Sequence, residues 1–171
     1  MRFHLIDRIV EVQPGRSLAA YKNLTLGEEY LADHFPTFPV MPGVLMLQTL
    51  VEAGAWLLRL GEDFRHSVIV LREVKNIKYG TFMEPGKTMD VSVELVERSD
   101  GLATIKGKGE MEGQQTVSAR LVLATYNLRD KDASLADTDA ALIADLKRQC
   151  RFLCRDQGQK RPDLQHALAE G

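Results

Sequence analysis

Between Pro42 and Leu60 the chain is apolar on nearly every side of a helix, which limits its fold more than any other stretch. Val44, Leu47, Val51, Ala55 and Leu58 recur at spacings of three and four, while Leu45, Leu50, Trp56 and Leu57 widen the apolar surface almost all round. A helix of this kind has to be enclosed by other elements. Gly43, Ala53, Gly54 and Ala55 keep it slim, so a neighbour can approach closely, and Gly61 reads as its C-terminal stop. Within the apolar cylinder stand Gln48 and Glu52, one turn apart on one face. A buried carboxylate must be paired, hydrogen-bonded or held with a raised pKa. The competing reading leaves Glu52 in solvent beside Arg59.

The helix is entered through a loop that contains His34 and three of the chain's six prolines, Pro36, Pro39 and Pro42. Each proline fixes its own φ and turns the preceding residue away from helix. That rigidity either fixes the position of the imidazole or frames a crossover from strand to helix. Local features leave both readings open.

Elsewhere the period is that of strands. Ile6–Glu11 and Leu18–Leu24 flank a Pro14-Gly15 turn, and Ser67–Val74, Asn76–Phe82, Thr88–Arg98, Leu102–Glu110 and Thr116–Tyr126 follow the helix. Ser99-Asp100-Gly101 and Glu112-Gly113 are hairpin signals, too short for parallel crossovers, so the sheet is predicted to be antiparallel. The predicted fold is α+β, one antiparallel sheet wrapped around one long central helix. Gly107 and Gly109 read as small positions where the sheet bends, since no helix follows to make a phosphate loop. Asp7 and Arg8 read as a local charge pair.

After a polar linker, Thr138 or Asp139 is expected to cap an additional C-terminal helix with an apolar stripe at Leu142, Leu146, Cys150 and Leu153. Its other face and the tail carry Lys147, Arg148, Arg151, Arg155, Lys160 and Arg161 against Asp156, either a solvated face or a surface for an acidic partner. The expected division is a domain over 1–128, then linker, helix and basic tail over 129–171.

A net charge of −2 with mixed signs argues against a nucleic-acid surface. Cys150 and Cys154 have no second cysteine pair, and His4 and His66 read as strand-edge or surface residues, so no metal or other cofactor is expected. Asp7 and Arg8 interrupt the N-terminus before a secretory apolar core, and no apolar run looks long enough to span a bilayer. The expectation is a cytoplasmic protein without membrane insertion.

His34-Phe35-Pro36 followed by Pro39-Val40-Met41-Pro42-Gly43-Val44-Leu45 resembles the beta-hydroxyacyl-acyl carrier protein dehydratases, a hotdog-fold family. The likeness covers about residues 3 to 126, including Leu5-Ile6-Asp7-Arg8, Lys22-Asn23-Leu24-Thr25 and the turn from Phe82 to Gly86. It implies a homodimer with one continuous sheet, with trimers of dimers (homohexamers) common in the family. It further implies a 3-hydroxyacyl chain on acyl carrier protein as substrate, and an acyl tunnel at the dimer interface. On this chain the resemblance makes His34 the base at C2, with Val40 the carbonyl that orients it. The N–H groups of Gly43 and Val44 become the thioester-oxygen site, and Trp56, Tyr79 and Met83 become tunnel candidates.

One departure bears on the chemistry. The family's carboxylate stands fourteen residues after the histidine, and here that position is Gln48; the family often has glutamine where this chain has Glu52. A carboxamide cannot donate a proton as an acid. The leading expectation is that Glu52 reaches back about one turn, roughly 6 Å of rise, and acts directly or through a water. The alternatives are isomerisation or hydrolysis of an acyl thioester, or an acyl-binding partner subunit without catalysis. Asp33 and Thr37, where the family often has glycine, mark a specialised member.

Overall fold

The computed structural model describes residues 4–154. Two strands, β1 (Arg8–Gln13) and β2 (Ser17–Asn23), precede the long helix α1 (Gly43–Gly61). Four longer strands follow: β3 (Val68–Tyr79), β4 (Thr88–Ser99), β5 (Leu102–Met111) and β6 (Gln114–Tyr126). A last helix, α2 (Ala136–Leu153), completes the described chain. The six strands form one sheet in the order β1-β2-β4-β5-β6-β3, every pairing antiparallel. The expected α+β architecture is the observed one.

The hairpins follow from residues that tolerate positive φ. Asp100 and Gly101 (φ 44° and 75°) turn β4 into β5, and Glu112 and Gly113 (52° and 78°) turn β5 into β6. Both are the tight turns whose twist matches that of the strands they join. The two strands predicted at Ser67–Val74 and Asn76–Phe82 are a single strand. Asn76, at φ 52°, makes a bulge in the pairing of β3 with β6, so the period breaks while the strand continues.

The sheet's inner face takes up the apolar helix. Leu50, Ala53, Trp56, Leu57 and Leu58 on α1 are buried against Val91, Val93, Ile105, Leu121 and Leu123. Close approach is built into both partners: a Cβ on Gly107 would lie 3.2 Å from Leu50, and one on Gly54 would lie 3.2 Å from Leu123. Gly61 ends the helix under the β1–β2 turn, where a Cβ would meet the backbone nitrogen of Gly15 at 2.8 Å.

Two expectations about α1 are corrected. Its 19 residues are long and apolar enough to cross a bilayer by length and composition. The fold instead uses that apolar surface as its core. Val44, assigned to the buried stripe, is 69% exposed, although Met46 in the same turn is buried.

Asp139 also departs from expectation. The helix begins three residues earlier and has no side-chain cap. Asp139 is instead 1% exposed and accepts hydrogen bonds from Ser67 Oγ, Leu128 N (2.9 Å) and Arg129 N (3.0 Å). It thereby joins α2 to the start of β3 and the end of β6. Burial by itself would raise its pKa, but the bonds from Ser67, Arg129 and Leu128 and the charge of Arg129 outweigh burial and lower it. A depressed folded-state pKa gives stability that is complete above the unfolded value and is lost as pH falls through the folded one. Asp139→Ala leaves three donors unsatisfied and is expected to lower Tm at pH 7 by at least about 4 °C. The difference from wild type should shrink on acidification. Thermal unfolding followed across pH checks both statements.

The sequence pair Cys150 and Cys154 is buried as free thiols, their sulfurs 3.7 Å apart. Cys150 and Leu153 belong to the same core as the sheet and α1. Of the basic tail, Arg155, Lys160 and Arg161 lie outside the described residues, as does Asp156. Among the described residues, no cluster of His, Cys, Asp and Glu has the composition of a metal site.

Candidate active site

The histidine loop is held at its base and open at its tip. Met41 N donates to Met83 O (2.9 Å), and Val40, Met41 and Met83 are all buried, which anchors the strand of loop entering α1. Met83 is therefore a core residue at 0% exposure. At the tip, Phe35 adopts φ 49° and its carbonyl accepts from Phe38 N at 2.8 Å, closing a turn. His34 packs edge-on against the Phe35 ring, with centroids 4.6 Å apart. Its Nδ1 lies 3.0 Å from the Val40 carbonyl oxygen. A carbonyl only accepts, so Nδ1 carries the hydrogen, and in the neutral imidazole the Nε2 lone pair is left free.

Three residues beyond Val40 the helix starts with unused donors. Leu45 N and Met46 N both donate to Pro42 O, at 2.9 and 3.1 Å. The N–H groups of Gly43 and Val44 have no acceptor among the described residues. Such groups, at the positive end of a helix dipole, suit an oxygen that gains negative charge. Tyr79 closes over this end: a Cβ on Gly43 would meet its ring at 3.1 Å. Next to Tyr79, Gly80 lies so close to β6 that a Cβ there would run into Gln115 O, while Gly80 N still donates to Thr116 O at 2.8 Å. Around the loop, Phe35, Phe38, Val44, Tyr79 and Phe82 are exposed, Phe38 and Phe82 meeting edge to face.

The carboxylate half lies on another part of α1. Glu52 side-chain exposure is 13%; its Oε2 accepts from Leu5 N at 2.7 Å, and its Oε1 is 4.0 Å from His4 Nδ1. Burial pushes its pKa up, against the lowering effects of Leu5 N, Trp56, His4 and Ile6 N. The reading that left Glu52 in solvent is thus corrected. Gln48 is exposed, yet lines the same cavity as Glu52, a space of about 350 Å³ between α1 and α2. Trp56 lines it too, whereas His34 and Tyr79 do not. One chain therefore presents two separate half-sites, a base with N–H donors and a carboxyl with a carboxamide.

Several residues of the second half-site were missed by sequence reasoning. His4, read as a strand-edge or surface residue, is indeed exposed but also contacts Gln149 of α2 at 2.6 Å, although the two are 145 positions apart. Leu142 and Leu146 carried a signal as an apolar stripe, but a stripe reports packing and not a cavity wall. His66, by contrast, pairs with Glu62 at 2.7 Å outside the cavity. A buried Lys22 forms a separate ion cluster with the half-buried Glu28 and the exposed Asp7, its Nζ 2.6 Å from Glu28 and 3.6 Å from Asp7.

The fold and these half-sites can be set beside known proteins. The most similar relatives include the 3-hydroxyacyl-[acyl-carrier-protein] dehydratase FabZ of Myxococcus xanthus, 36% identical over 141 residues, 81% of this chain and 90% of that protein. The FabZ of Bacillus subtilis is 32% identical over 122 residues, covering 71% and 86%. Among solved structures, the dehydratase heterocomplex ApeI:P of Xenorhabdus doucetiae superposes with a TM-score of 0.62 at 12% identity, over 78% of this chain and 90% of that one. The PaaI protein of Escherichia coli does so at 0.54 and 9% identity, over 68% and 81%. These last two speak for the hotdog fold alone. A family model described as the FabA-like domain matches residues 1–120, and on that match the chain belongs to the FabA-like dehydratase family.

Proposed function

We propose that the protein dehydrates a 3-hydroxyacyl chain carried on acyl carrier protein to the trans-2-enoyl thioester. The observation that carries this reading is the pairing of an oriented base with unused donors. His34 has Nδ1 fixed on Val40 O, and Gly43 and Val44 offer free N–H groups at the adjoining helix start. In the proposed reaction Nε2 removes the proton at C2 while negative charge on the thioester oxygen is held by those N–H groups. The C2–H electron pair becomes the C2–C3 double bond, the C3–O bond breaks, and the hydroxyl leaves as water with a proton from the carboxyl of Glu52. Gln48 holds the leaving hydroxyl or an intervening water. A carboxyl whose pKa burial has raised is suited to donate at neutral pH.

The two half-sites meet across a homodimer in this reading, His34 of one subunit facing Glu52 of the partner subunit. β3 is a long edge strand with Val70, Ile77 and Tyr79 exposed, and pairing it with its copy covers an edge that folded proteins seldom leave bare. The exposed aromatic residues around His34 support the same interface, because an apolar patch of that kind marks an interaction surface. Further assembly into trimers of dimers and a cytoplasmic setting belong to the same proposal.

Purified protein given 3-hydroxyacyl-carrier protein is expected to form the conjugated enoyl thioester, reversibly and with the absorbance of that group. Release of free thiol instead would assign a thioesterase. Stabilisation by the acylated carrier with neither product would assign a binding subunit.

A further inference from the structure

The cavity between α1 and α2 contains a cationic side chain that has no hydrogen-bond acceptor among the described residues. Gln48, Glu52, Ala55 and Arg59 follow one another along a single stripe of α1 and all line it. Arg59, at the far end, makes no hydrogen bond and no ion pair among the described residues, and its Nε is buried without a partner. Its guanidinium lies 5.3 Å over the ring of Trp56. Trp56 is 1% exposed, and its indole N–H is directed toward the carboxyl of Glu52, whose pKa it lowers. Buried donors in native proteins are nearly always satisfied, so the Arg59 Nε beside this cavity calls for an acceptor from outside. Burial pulls Arg59 down to about 10, against the charge of Glu52, which leaves it cationic at neutral pH.

The rest of the lining sets the kind of molecule. Val51, Ala55, Ile69, Leu142 and Leu146 are apolar, so a hydrocarbon body is accommodated beside the donors. The volume of about 350 Å³ is at the small end for a ligand site. The charge of Glu52 acts on Arg59 across the cavity, but no ion pair joins the two among the described residues, and Glu52 Oε2 is taken by Leu5 N. We infer that this cavity binds a short- to medium-chain carboxylate, its oxygens on Arg59 and its chain against Leu142 and Leu146. Two of its walls come from α2, which lies beyond the family-matched residues 1–120.

Such a carboxylate is either a free acid or the far end of a dicarboxylic acyl chain entering from the Glu52 side. Trp56 is the chain's single tryptophan, so its fluorescence reports the site directly. Full-length protein titrated with hexanoate is expected to give a saturable change, with at least tenfold weaker binding by hexanamide and by Arg59→Met. Leu146→Phe, which fills the cavity without touching the donors, should weaken hexanoate binding as well. Equal affinity of wild type and folded Arg59→Met, equal affinity for hexanamide, or no saturable change would overturn the inference. A turnover preference for an ω-carboxy 3-hydroxyacyl thioester over its methyl-ended counterpart, lost in Arg59→Met, assigns the tethered source. Hexanoate binding without that preference assigns the free one. Binding is read without turnover, so a protein that binds hexanoate but does not dehydrate would overturn the proposed function alone.

Discussion

His34→Ala is expected to lower kcat for 3-hydroxyacyl-carrier protein by about 10²- to 10⁴-fold, with little change in thermal stability. The expectation follows from what the imidazole does and does not hold together. Its one hydrogen bond goes to Val40 O, and Val40 is fixed independently by burial and by the neighbouring bond from Met41 N to Met83 O. Removing the ring leaves the loop base and the free N–H groups of Gly43 and Val44 in place. His34→Asn sharpens the test, because an amide N–H can still donate to the carbonyl while nothing replaces the Nε2 lone pair. Both variants should fold, bind acylated carrier protein and fail to turn it over. Normal turnover by either, with Tm unchanged, would remove His34 from the mechanism.

The parts of this molecule legible in the sequence are those set by local period and local turns. The all-round apolar pattern of Pro42–Leu60 required an enclosing sheet, and Asp100-Gly101 and Glu112-Gly113 announced the hairpins that build it. The bulge at Asn76 was illegible because one extra residue in positive φ interrupts the alternation in the same way that a turn does. The exposure of Val44 was illegible for another reason. Periodicity gives the face of a helix, not which residues of that face the rest of the chain covers. The His34 loop could be read residue by residue, since Val40 follows it by six positions. The Glu52 half-site could be read only in part. Its carboxyl is satisfied by Leu5, 47 positions away, and its cavity is closed by Leu142, Leu146 and Gln149 from a helix whose own signal was only an apolar stripe. Likewise Asp139 had the sequence signature of a cap, and only the tertiary placement of Ser67 and Leu128 turned it into an anchor.

Glu52→Gln separates catalysis from stability in the opposite sense to a structural residue. The amide oxygen of glutamine can still accept from Leu5 N, so the contact that joins α1 to the N-terminal segment survives. What disappears is the ionisable group. Burial raises the pKa of Glu52, so between the unfolded and folded values the folded protein holds the proton that the unfolded chain releases. Stability therefore falls as pH rises through that interval, and above it the buried carboxylate is a standing cost. The variant is expected to melt no lower than wild type at pH 7 and to lack this decline, as thermal unfolding against pH would show. Its kcat should nevertheless drop by about 10²- to 10⁴-fold, because an amide cannot protonate the departing hydroxyl. Gln48→Ala, which removes only a positioning amide, should cost less. The decisive variant exchanges the two side chains, Gln48→Glu with Glu52→Gln, and restores a carboxyl fourteen residues after His34. If the acid half of the site requires only a carboxyl on this stripe of α1, the exchanged protein recovers turnover that Glu52→Gln lost. Full activity in Glu52→Gln itself would show that the proton for the leaving hydroxyl comes from elsewhere.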